Sequence, residues 1–193
     1  MSVHSRETVY FEEGGPQHTD QTLALALEAL RERNLGYLVV ASGGETVLQA
    51  ARRIRDDGLA AVQLIGVTLQ AGTWQTYGEP DWGQLDEARE LGAAILTCTH
   101  SLMGNVESAI RSKFGGIPPV ELIAHTLYMF SQGTKVAVEI TMTAVDAGLV
   151  PAGRDVVAVA GTGGGADTAY VITAASTVDC FDLRVKELLC KPF

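Results

Sequence analysis

Two hydrophobic patterns alternate along the chain. Unbroken apolar runs with β-branched residues predict buried strands, and apolar residues at i, i+3, i+4 and i+7 predict helices. The runs are Tyr37–Ala41, Ala61–Leu69, Ala94–Thr97, Val156–Ala160, Ala169–Thr173 and Leu183–Leu189, with a shorter strand near Thr8–Phe11. Between Gln21 and Arg33, Leu23, Ala26, Leu27 and Leu30 form one apolar face, with Thr19 or Asp20 as its cap. Val47, Ala50, Ala51 and Ile54 mark a second helix. Further helices are predicted over Gln84–Leu91, Met103–Lys113, Glu121–Phe130 and Lys135–Ala147, with Gln132-Gly133 as a break before the last. That last helix is apolar nearly all round, as a buried helix is. Strand-and-helix alternation predicts an α/β fold with a largely parallel sheet.

The stretch Val156–Thr173 carries the densest backbone signal. Its strand stops at Gly161-Thr162-Gly163-Gly164-Gly165 and a second strand follows. Glycines in such number suit positive φ or close approach to a ligand, and successive bare N–H groups make a concavity for phosphate oxygens. A tight turn between two strands explains the same residues equally well. The dinucleotide fingerprint matches from Gly161 to Ala166, but that motif must open a helix and Tyr170-Val171-Ile172 predicts a strand. The triphosphate loop is excluded because no Gly-Lys-Ser/Thr ends the run.

A second loop, Ser42-Gly43-Gly44-Glu45-Thr46, joins a strand to a helix and points a helix N-terminus toward the strand end. Its S-x-x-E spacing also reads as a capping box between Ser42 and Glu45. The connection Gln70–Gly83 holds Trp74, Tyr77 and Trp82, which suit a stacked planar ligand, a subunit contact or a local mini-core.

Candidate reactive groups are few. Cys98 and His100 are two apart after a strand, with no third group positioned by the sequence. On the apolar helix, Lys135, Glu139, Thr143 and Asp146 share one side. A Lys135–Glu139 pair on a solvated edge is the plain reading, and Glu139 lining a ligand cavity is the sharper one. If the chain is an enzyme, Glu139 and His100 are therefore the acid–base candidates, with Lys135 as a charge partner.

Composition narrows the classes. The 193 residues suit one domain, 1–193, with residues 1–17 as an N-terminal arm. The net charge of −9 argues against general affinity for nucleic acid or anionic membrane, so an anion would need a local site of backbone amides. Three widely spaced cysteines, Cys98, Cys180 and Cys190, make neither a disulfide framework nor a metal motif and fit a reducing cytoplasm. No metal site is expected. No apolar run reaches the roughly 18 residues of a membrane span. High apolar content and the aromatic connection favour a homo-oligomer.

Seven segments, in order, carry a resemblance: YFEEGGPQHTDQTL, VVASGGET, CTHSLMG, KFGG, GTKVAVEITMTAVDAGLV, GTGGGADTAYVI and KELLCKPF. Almost the whole chain resembles the stand-alone pyruvate kinase C-terminal-domain-like proteins of prokaryotes. The resemblance implies a three-layer α/β/α fold with a mostly parallel five-stranded sheet. It implies a binding or regulatory role toward a phosphorylated small molecule, because the two loops of that domain in full pyruvate kinases hold an effector's phosphates. Ser42, Gly43, Gly44, Glu45 and Thr46 match the first loop, and Gly161, Thr162, Gly163, Gly164, Asp167 and Thr168 match the second. Pyruvate kinase activity is not implied, since the barrel domain that transfers the phosphoryl group has no counterpart here. Glu45 stands where a basic or neutral residue better suits a bisphosphate. A smaller ligand such as a flavin mononucleotide fits better, with its ring near the aromatic connection or the Glu139 helix.

Overall fold

The structure, a computed structural model, describes residues 5–193. Seven strands form one sheet: β1 (Val9–Phe11), β2 (Tyr37–Ala41), β3 (Gln63–Val67), β4 (Ala94–Leu96), β5 (Asp155–Ala160), β6 (Thr168–Thr173) and β7 (Arg184–Pro192). The helices are α1 (Thr19–Glu32), α2 (Glu45–Asp56), α3 (Trp74–Tyr77), α4 (Trp82–Glu90), α5 (Val106–Phe114), α6 (Pro119–Tyr128) and α7 (Gln132–Asp146). The strand order is β1-β7-β6-β5-β2-β3-β4, and only β6 runs against the rest.

The sheet thus has seven strands, not the five that the resemblance implies. The two ends of the chain supply the addition: β7 pairs antiparallel with β6, and β1 pairs parallel with β7. Of the segment read as an arm, residues 1–4 lie outside the described residues; in the remainder, Phe11 is buried and stacks on His18.

Successive side chains along a strand point to opposite faces, so the central strands feed two cores. Leu38, Val40, Val157 and Val159 join α1, α2 and α4 on one face. Val39, Val156, Ala158 and Ala160 join α6 and α7 on the other. The connection after β2 therefore crosses one face and the connection into β5 crosses the other. The gap between the adjacent strands β2 and β5 is where an open α/β sheet switches direction, and ligands in such sheets bind outside the carboxyl ends of the strands at that gap.

Gln132 and Gly133 open α7 rather than breaking the chain before it. Ser131 Oγ accepts from the Thr134 amide at 2.9 Å and caps the helix. A Cβ on Gly133 would overlap the Thr168 side chain, so glycine lets the first turn of α7 lie against β6.

Candidate functional site

The Ser42 and Gly161 loops follow β2 and β5 and emerge side by side at the carboxyl edge of the sheet. Between them lies a cavity of about 120 Å³, lined by Glu45, Thr46 and Gln49 of α2, Gly165 of the glycine loop, and Pro16 and Thr19 at the start of α1. The structure thus brings together the α2 end of the first loop and the last glycine of the second.

Within the first loop, Ser42 Oγ accepts from the amides of Gly44 and Val47 at 3.0 and 3.1 Å. Glu45 does not complete a capping box, because its carboxylate accepts from Gln49 Nε2 one turn onward. The Gly43 carbonyl is held by the Asp81 amide at 2.7 Å, which ties the loop to the start of α4. Among the described residues no protein acceptor meets the Glu45 and Thr46 amides, which begin a twelve-residue helix with a positive dipole end.

The second loop is held by a buried carboxylate. Asp167 Oδ2 accepts from the Gly15 amide at 2.9 Å and the Thr162 amide at 3.0 Å, and Oδ1 accepts from Thr168 Oγ1 at 2.7 Å. Both Asp167 and Thr168 are fully buried. They shape the loop and fasten the N-terminal segment to it. Thr19 is the first residue of α1 and not its side-chain cap; its hydroxyl accepts from the Ala166 amide at 2.9 Å and donates to the Pro16 carbonyl at 2.7 Å. The amides of Gly163, Gly164 and Gly165 meet no acceptor among the described residues, and all three glycines have positive φ. At Gly165 glycine is needed twice over, because a Cβ would overlap Thr19 and Pro16.

Glu139, Lys135 and His100 also meet, on the α7 side of the sheet. Glu139 Oε2 accepts from Lys135 Nζ at 2.5 Å and stands 3.6 Å from His100 Nδ1. Glu139 Oε1 accepts from the amides of Leu102 and Met103 at 2.8 and 3.2 Å. Glu139 and Lys135 are 1% and 4% exposed, so the expected solvated edge is a dry pair instead. Asp146, at the far end of the same side, is exposed. Lys135 Nζ also lies 5.8 Å from the Tyr128 ring centroid. Burial and the Glu139 charge push the Tyr128 phenol above its ordinary value. His100 Nε2 pairs with the Thr68 carbonyl at 3.1 Å. With every Glu139 oxygen engaged, the cluster anchors the 97–105 loop to α7. Asn105, which the sequence reading passed over, pins that loop further by donating to the Ser101 carbonyl at 2.9 Å. An Asn followed by Val-Glu at a helix start was the signal available for it.

Burial raises the Cys98 thiol, and the Asp146 charge raises it further, the opposite of what a thiolate nucleophile needs. Trp74 and Trp82 pack edge to face at 5.6 Å, and Trp74 Nε1 donates to the Leu69 carbonyl at 2.9 Å. They form a local cluster, and neither they nor Glu139 line the cavity between the loops. Among the described residues no helix is long and apolar enough to cross a membrane, and no three His, Cys, Asp or Glu side chains are grouped to hold a metal ion. No protein-family model matches the chain.

Proposed function

We propose that the rim over β2 and β5 holds the phosphoryl group of a small molecule, and that the chain is a binding or regulatory domain of the kind found at the C-terminus of pyruvate kinases. The observation that carries this reading is the cavity shared by both loops at the switch point of the sheet. Unengaged amides at Glu45, Thr46 and Gly165 belong to residues that line it, and those of the exposed Gly163 and Gly164 come just before Gly165 in the chain, so donors are at hand without a basic side chain. Ser42, Asp167 and Thr168 act as the frame, while Thr46 and the glycines are the contact surface. The cavity volume suits a phosphoryl group, so the remainder of a nucleotide such as flavin mononucleotide would extend along the exposed Gly163-Gly164 face.

The test is thermal stabilisation by inorganic phosphate, flavin mononucleotide, riboflavin and a sugar phosphate, with mass spectrometry of whatever co-purifies. Phosphorylated compounds should raise the melting temperature and riboflavin should not. Thr46→Val, which keeps shape and removes a hydroxyl, should weaken binding about five- to tenfold. Equal responses to flavin mononucleotide and riboflavin, or none to any phosphate, would remove the phosphate site from consideration.

A further inference from the structure

Helix α5 has no buried residue, and residues 106–130, which span α5, the turn after it, α6 and the two residues that follow, expose seven large apolar side chains: Val106, Ile110, Phe114, Ile117, Leu122, Met129 and Phe130. Each is between 51% and 84% exposed. The first three are four residues apart, on one stripe of α5, and Leu122 of α6 and Met129, the residue that caps its end, are seven apart. Summed, they present on the order of 800 Å² of accessible surface, close to one side of a standard protein interface.

We infer that this helix pair is the contact between two copies of the chain. Charge selects that occupant. Residues 106–130 carry two anions, Glu107 and Glu121, and two cations, Arg111 and Lys113, in a chain whose net charge is −9. Glu121 is buried and ion-paired with Arg111 across the two helices at 2.7 Å, which removes both from the balance. The face is therefore neutral on an acidic molecule. Two such faces meet without the repulsion that would oppose contact elsewhere on the surface, as a self-complementary two-fold contact requires. A membrane occupant would want Lys and Arg in excess beside the apolar stripe, and this segment has none in excess.

The contact is tested by sedimentation velocity and light scattering on the full chain. The wild type should be a dimer. Phe114→Glu and Met129→Glu should each halve the mass, with an unchanged far-ultraviolet spectrum, because both residues are exposed in the single chain. Phe181→Glu, at a comparably exposed apolar residue outside the pair, should leave the dimer intact. A monomeric wild type, a dimer that survives both helix substitutions, or a monomer that sediments with anionic phospholipid vesicles would each overturn the assignment.

Discussion

Helices α7 and α5 start from similar local instructions and end in opposite surroundings. Each is capped by a side chain: Ser131 accepts from the Thr134 amide, and Asn105 Oδ1 accepts from the amides of Glu107 and Ser108. Each carries apolar residues at helical spacing. Yet eleven of the fifteen residues of α7 are buried and none of the nine in α5. The difference lies in what the topology offers. Helix α7 crosses the centre of the sheet and is covered by β2, β5 and β6, whereas α5 packs closely on no other element and is tied to α6 by the Arg111–Glu121 pair. A hydrophobic stripe therefore records that a face needs cover, and the path of the chain decides whether the same molecule supplies it.

The largest expected effect comes from breaking the charge pair that α7 buries. Glu139→Ala leaves the Lys135 ammonium without its counter-charge and the Leu102 and Met103 amides without their acceptor. Loss of one partner from a buried pair costs about 3–5 kcal/mol. Urea denaturation should show that loss directly. Replacing both Lys135 and Glu139 by Met should recover the part that comes from the unpaired ammonium, since neither charge then remains in a dry site, while the Leu102 and Met103 amides still lack their acceptor. A loss below about 1 kcal/mol for Glu139→Ala is the value of a solvent-screened pair, and would erase the contrast with α5.

The opposite face of the sheet is equally dry, and Cys190 on β7 reports on it. Burial pushes its thiol up to about 11 from an ordinary 9.0, against the contrary pull of the Thr22 hydroxyl. The folded chain thus keeps a proton that the unfolded chain releases first. Stability from this group is complete below pH 9, declines as pH rises, and is gone once pH passes the folded value near 11. At pH 10 the decline amounts to about 1.4 kcal/mol. Cys190→Ala should flatten the alkaline slope of the denaturation free energy by that amount. Equal slopes for the two proteins would mean that water reaches β7, so that cover on this face is no better than at α5.

Much of this architecture was legible in local pattern. Every strand read from an apolar run is present within a few residues, and the tight stripe of Leu23, Ala26, Leu27 and Leu30 is the buried face of α1. The resemblance pointed to five strands, while the residues' own alternation marked seven; the edge strands depend on β1 meeting β7 across the length of the chain. Long-range partners were the blind spot elsewhere too. Asp167 reads as a ligand contact in a glycine loop because nothing nearby announces that the Gly15 amide arrives from the other end of the chain. Gly133 reads as a helix breaker because its reason, the Thr168 side chain, is on another element. The Lys135–Glu139 spacing correctly gave the pair, but not its depth, which is set by the 97–105 loop folding over it.

The smallest effect sharpens the comparison most. Ile110 lies on the exposed stripe of α5, half its surface open to water. In dilute protein, where a weak dimer is dissociated, Ile110→Ser should change the denaturation free energy by no more than about 0.5 kcal/mol, as surface substitutions do. The same change in α7 would empty part of a core. At high protein concentration the two chains should part company. A native state that self-associates is stabilised by mass action, so the wild-type melting temperature should climb with concentration and the Ile110→Ser curve should stay nearly level. The apolar stripe would then behave as core only when a second chain is present, and its stabilisation would belong to the assembly rather than to the fold. If the variant melts several degrees lower even when dilute, α5 is already covered by its own chain, and the distinction between the two helices is one of degree.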